Sequence, residues 1–173
     1  MAGQLDDKFI QQINQNIGIA HKVCSIYFNN VHEWEDVLQE MMYQLWKSYR
    51  SFDGRSKFST WMYSVCLNTA LTYRRKNTGN KRESITQKHY EIAEKNSGHR
   101  EENIKMLLQA IATLSHLNKA IILLYLEDLS YEEIARITGL TKSNVSVRLV
   151  RIKKELEIQL KKQSNVMKDV NTR

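Results

Sequence analysis

Apolar residues recur every three or four positions along most of this chain, the period of an amphipathic helix. Phe9, Ile10, Ile13, Ile17, Ala20, Cys24 and Tyr27 predict a first helix over residues 6–30. Trp34, Leu38, Met41, Leu45 and Tyr49 predict a second over 33–49, with one buried stripe. The stretch SFDGRSKF breaks the pattern at Gly54, and a third helix follows over about 60–76. Residues 77–100 lose the period and carry two glycines, the composition of a linker with at most a short helical patch around Tyr90 and Ile92. The pattern then resumes. Ile104, Leu107, Leu108, Ile111 and Leu114 share one face, and Leu117, Ile121, Leu124 and Tyr125 continue it after a break near Ser115.

The stretch SYEEIARITGLTKSNVSVRLVRIKK, residues 130–154, reads as a helix-turn-helix. Ser130 and Glu133 have capping-box spacing, Gly139 stands where the chain must turn sharply, and Thr141 caps the next helix. Val145, Leu149, Ile152 and Leu156 then pack inward. That leaves Lys142, Ser143, Asn144, Arg148 and Arg151 outward, donors suited to base edges and phosphates in a major groove. A surface helix with a solvated basic face would share the charge, but not the coincidence of Ala135, Gly139 and Val145 at this motif's spacing. The expected fold is all-α: two small helical domains, 1–76 and 101–163, a linker over 77–100, and a polar tail over 164–173 that frays. The absence of proline from all 173 residues agrees, since proline is the strongest helix breaker.

Charge separates the surfaces further. The net charge is +7, with five cations and no acid over residues 74–82, and eight cations against Glu155 and Glu157 over 136–162. Residues 31–46 are the reverse, with four acids and no Lys or Arg. Two basic patches suggest two contacts with a polyanion, and the acidic one a different partner, although any single patch could be a solvated face. Cys24 and Cys66 lie in apolar-periodic segments and read as core residues of a reducing compartment. His21 and Cys24 have no second ligand pair to complete a metal site, and no cofactor is expected. With neither a signal peptide nor an apolar run long enough to span a bilayer, a cytoplasmic location is expected.

In FSTWMYSVCLNTALTYRRK, the rings of Phe58, Trp61, Tyr63 and Tyr73 are interleaved with Ser59, Thr60, Asn68, Thr72, Arg74, Arg75 and Lys76. Rings that accept unstacked bases beside cations that follow a backbone suit single-stranded nucleic acid, although Trp61 alone could be core. Together with a duplex-reading motif, they point to DNA that is opened as well as bound.

At this point the residues resemble a family. WEDVLQEMMYQLWKSYRSFDGRSKFSTWMYSVCLNTALTYRRK looks like region two of bacterial RNA polymerase sigma factors, and residues 130–154 look like their region four. The chain is similar to the short two-domain extracytoplasmic-function group. The resemblance implies that Asp36, Gln39 and Glu40, with Tyr43 beside them, dock on the clamp helices of the polymerase largest subunit. It implies that the loop from Phe52 through Ser56, Lys57, Phe58, Ser59 and Thr60, with Trp61 and Tyr63, captures a base flipped from the minus-ten element. Asn68, Thr72, Tyr73, Arg74, Arg75 and Lys76 would lie along that element. Lys142, Ser143, Asn144, Val147, Arg148 and Arg151 would enter the major groove at the minus-thirty-five element. Core RNA polymerase (through its clamp helices and its flap), promoter DNA and an anti-sigma protein are the partners implied. Thr72 stands where the family often has an acid, and Ser115 where it usually has a proline.

The function expected is therefore a promoter-specificity subunit that makes no bond itself. The main rival is a stand-alone helix-turn-helix regulator dimerised on a palindrome. A nucleic-acid-processing enzyme would have only Glu33, Glu35, Asp36 and Glu40 to work with, on one helix and without a partner cluster.

Overall fold

The computed structural model describes the backbone over residues 2–77 and 98–170, and side chains over 7–77 and 102–162. Most of the expected linker, with the patch around Tyr90 and Ile92, lies outside the described residues. Seven helices and no strand occur among them, so the fold is all-α. They form two compact units, one on each side of the 78–97 stretch.

In the first unit, α1 (Ala2–Tyr27), α2 (Val31–Tyr49) and α3 (Phe58–Asn77) pack each against the other two. The core is Ala20, Val23, Cys24, Val37, Met41, Leu45, Met62 and Cys66, all fully buried, with Tyr27, Tyr63 and Leu67 nearly so. The buried stripe of α2 runs through Val37, Met41 and Leu45, while Trp34, Leu38 and Tyr49 at its margins are half-buried. Asn30 starts α2 by accepting from the His32 N–H at 2.9 Å. The α2–α3 turn is closed by Asp53, whose carboxylate accepts from the Arg55 backbone N–H at 3.1 Å. That bond comes first in holding the Asp53 pKa below its ordinary value, and the exposed Arg55 guanidinium adds to it. Gly54 between them sits at φ +72°, where a side chain would be strained.

The second unit holds α4 (Gly98–Ala112), α5 (His116–Leu126), α6 (Tyr131–Thr138) and α7 (Lys142–Val170). The break between α4 and α5 falls where the pattern placed it. Ser115 caps α5 by accepting from the Asn118 N–H at 3.4 Å, standing in for the family's usual proline. Ser130 and Glu133 form the reciprocal capping box of α6: the Ser130 hydroxyl accepts from Glu133 N–H, and the Glu133 carboxylate accepts from Ser130 N–H at 2.9 Å. Gly139 ends α6 at φ +71°, and Thr141 accepts from Asn144 N–H at 3.2 Å to start α7. Val145, Leu149, Ile152 and Leu156 are buried as the period required. Helix α7 runs on to Val170, so most of the expected fraying tail is a helical continuation. An exposed Lys161–Glu157 pair one turn apart supports this polar stretch.

Candidate nucleic-acid and partner-binding surfaces

Burial of Val37, Met41 and Leu45 rotates the opposite side of α2 into solvent. Asp36, Gln39, Glu40 and Tyr43 are all exposed there, at helical spacing. Glu40 accepts from Gln44 Nε2 at 2.8 Å, and the Lys47 ammonium lies 5.9 Å from the Tyr43 ring centre. Trp46 continues the face and is 56% exposed, next to Tyr43 at 52%. Two large exposed rings thus stand beside two exposed carboxylates, and aromatic rings are enriched in protein interfaces. Trp46 is a further residue of this face, and its spacing of three from Tyr43 and seven from Gln39 carries the signal in the sequence.

On α3 the structure corrects part of the expectation. Thr60, Tyr63 and Arg74, expected at a nucleic-acid surface, are buried, at 7%, 2% and 9% exposure. They share one stripe with Leu67 and Ala70, at steps of three and four, and that stripe faces the core. Arg74 turns its guanidinium inward, donating from Nε to the Tyr27 carbonyl oxygen at 3.1 Å and lying 4.9 Å from the Phe28 ring centre. None of the three can reach DNA without leaving the core.

Phe58 and Trp61 are half-buried and pack on each other at 5.2 Å between ring centres. Phe52 lies 5.1 Å from Trp61 and 5.7 Å from Phe58, and Tyr49 borders all three. These rings form a mutual cluster at the mouth of the 50–57 loop, and not a row of separate stacking platforms. The outward side of α3 keeps Asn68, Arg75 and Lys76 exposed, with Ser59, Thr72 and Tyr73 half-buried, and in the loop just before it Lys57 is exposed and Ser56 half-buried. Tyr73 packs edge-on against Phe28 at 5.6 Å. At helical spacing, Trp61, Asn68, Thr72 and Arg75 fall in one row that a polyanion could follow.

In the second unit, Lys142, Ser143, Asn144, Val147 and Arg151 are exposed on α7, and Arg148 is half-buried. Lys142 is paired with Glu132 of α6, whose carboxyl pKa is lowered first by that hydrogen bond. Arg148 donates to Asn118 Oδ1 of α5 at 3.2 Å, so it braces the motif as well as bordering its outer face. Away from that face, an apolar groove of about 520 Å³ is lined by Leu107, Ile122, Tyr125, Leu126, Leu156 and Leu160. Lys153 and Lys161 stand on its rim, and Lys153 Nζ donates to the Tyr125 hydroxyl at 2.8 Å. His21 is exposed and packs on Trp34, while Cys24 is buried, so the two do not share a site. Among the described residues no three His, Cys, Asp or Glu side chains are grouped to hold a metal, and no helix is long and apolar enough to cross a membrane.

Comparison with known proteins agrees with both halves. Residues 13–79 match the family model of sigma-70 region 2, and residues 104–156 match that of sigma-70, region 4. The chain is 30% identical over 146 residues to the RNA polymerase sigma factor SigV of Bacillus subtilis, covering 83% of this chain and 85% of that one. It is 30% identical over 152 residues to the ECF sigma-E factor of Salmonella typhimurium, covering 79% of this chain and 80% of its relative. The fold is shared with the sigma factor RpoE of Bartonella quintana, solved in complex with the anti-sigma factor NepR. The TM-score there is 0.69 at 21% identity, over 89% of this chain and 97% of that one. The chain therefore belongs to the RNA polymerase sigma factors, in the ECF group built from regions two and four.

Proposed function

We propose that this sigma factor divides its work among five surfaces. The exposed α2 face of Asp36, Gln39, Glu40, Tyr43 and Trp46 docks on the clamp helices of the polymerase largest subunit. The outward row of α3, with Trp61, Asn68, Thr72, Arg75 and Lys76, and Lys57 just before the helix, follows the minus-ten element as it opens. Ser56, Phe58 and Ser59 form the mouth in which a flipped base is held. The α7 face of Lys142, Ser143, Asn144, Val147, Arg148 and Arg151 reads the minus-thirty-five element, and the apolar groove beside α4 and α5 receives the polymerase flap. Thr60, Tyr63 and Arg74 hold α3 in place from beneath. The protein works in the cytoplasm, breaks and makes no covalent bond, and is held in reserve by an anti-sigma protein, the kind of partner with which the Bartonella quintana relative was solved.

The observation that carries this reading is the pairing of two exposed chemistries in region two. An acidic, ring-bearing face on α2 suits a protein partner, and a basic row on α3 suits a polyanion. The test of the docking face is capture on tagged core polymerase. Reversing charge at Asp36 and Glu40 together should abolish capture while helical content stays unchanged, because both side chains are exposed. Undiminished capture by a folded variant would remove α2 from the interface.

A further inference from the structure

The reading face of α7 contains two residues that cannot exchange a hydrogen bond with anything. Val147 is 51% exposed and Val150 is 67% exposed, in a helix whose other valine, Leu149 and Ile152 partners in that stretch are buried. Ser143 and Asn144 precede them, Arg151 adjoins Val150, and Lys154 lies one turn beyond it, all exposed. Two uncovered apolar side chains amid donors and cations cost solvation in the free protein. They also add nothing to phosphate binding.

We propose that Val147 and Val150 read the C5-methyl groups of thymines at neighbouring base pairs, so that the minus-thirty-five element of this protein must contain A·T pairs there. The proposal rests on the minus-thirty-five reading of α7 and specifies the chemistry it reads. Valine side chains offer only methyl groups, and in the major groove the thymine methyl is the apolar feature that distinguishes one base pair from another. The spacing fits. Residues three apart on a helix share a face and lie about 4.5 Å apart along its axis, close to the roughly 3.4 Å rise between stacked base pairs. The side-chain type fits too. A β-branched residue in a helix keeps largely one χ1 rotamer, so both methyl pairs are already fixed and little entropy is lost on contact. Arg151 and Lys154 can meanwhile reach phosphate or guanine on either side, fixing the register in which the valines meet the groove.

The experiment uses the full chain with core polymerase and a duplex selected by that complex from a random pool. Each thymine of the minus-thirty-five element is replaced in turn by deoxyuridine, which keeps the base pair and removes only the methyl. Loss of one buried methyl corresponds to about a three- to fivefold weaker complex. We expect that penalty at one or two neighbouring base pairs, and expect it to vanish in Val147→Ala or Val150→Ala, with each variant cancelling a different position. Alanine is a better helix former than valine, so the variants keep α7 intact. If no deoxyuridine weakens binding while Arg151→Ala still does, α7 reads the element without its valines and the proposal falls alone. A deoxyuridine penalty that persists in both variants also overturns it. If neither deoxyuridine nor Arg151→Ala has any effect, the minus-thirty-five reading has failed and takes the proposal with it.

Discussion

Arg74 donates from Nε to the backbone carbonyl of Tyr27, forty-seven residues earlier in the chain, at 3.1 Å. Tyr27 is the last residue of α1, so its carbonyl is one of the acceptors that a helix end leaves without an intrahelical partner. A cation at that end also meets the negative pole of the helix. The contact therefore ties the basic end of α3 to the end of α1, and turns Arg75 and Lys76 outward.

Arg74→Ala should cost about 2–3 kcal/mol of folding stability, since it removes charge-assisted hydrogen bonds to a carbonyl that stays buried, and with them the contact over Phe28. Arg75→Ala should leave the melting temperature almost unchanged and reduce the salt dependence of DNA binding by about one phosphate contact. Thermal melts and salt titrations on the two variants check this. Equal melting temperatures would mean that the guanidinium does not brace α3.

Tyr63 and Asn68 lie on opposite sides of the same helix, Tyr63 at 2% exposure and Asn68 exposed. Tyr63→Ala should destabilise the first unit by about 3–5 kcal/mol, the cost of emptying a large aromatic site in a core. Asn68→Ala should leave stability within about 0.5 kcal/mol and slow promoter opening. Comparing denaturant midpoints with opening rates separates the two. An Asn68 variant that melts early but opens DNA normally would reverse the assigned faces.

Burial pushes both core thiols up: Cys24 to about 12, and Cys66 to about 12 with the neighbouring Cys24 adding to the effect. Cys24 also donates to Met41 Sδ at 3.6 Å, which favours the protonated form. The native protein should therefore react slowly with thiol reagents, and quickly once unfolded. The folded pKa values lie above the ordinary 9.0, so this contribution to stability is complete below pH 9.0. It is lost as pH rises from there towards 12, because the unfolded chain gives up its protons first. Unfolding midpoints between pH 8 and 11 should fall with a slope that Cys24→Ala and Cys66→Ala reduce. A slope unchanged in both variants would show that the thiols do not contribute.

Much of the second unit is legible because its punctuation is local. The Ser130–Glu133 box, Gly139, Thr141 and Ser115 act within a few residues of themselves, and each adopts the role its chemistry dictates. Asp128 was not legible: it takes φ +58° in the α5–α6 turn, a conformation usually left to glycine. The inward side of α3 is hard to read from sequence for a different reason. Its core stripe passes through Thr60, Tyr63 and Arg74, polar types that binary patterning assigns to the surface. What buries Arg74 is a carbonyl from a distant helix, and no window along the sequence contains that partner. Trp46 was the converse case, a large apolar residue that the helix period turns away from the core.

On this reading the chain recognises promoters only as a subunit of the polymerase. The most direct measurement follows the fluorescence of a base analogue in the minus-ten region of a duplex promoter, with the chain alone and then with core polymerase added. A single copy of each region buries too little surface for specificity by itself. The chain alone should be a monomer that binds duplex weakly, loses binding as salt rises, and leaves the signal flat. Core polymerase should then give specific binding and a rise in fluorescence that Asn68→Ala slows on duplex more than on a pre-melted template. A chain that alone forms a dimer and binds a palindrome with a dissociation constant on the order of nanomolar, with no opening when polymerase is added, would contradict it.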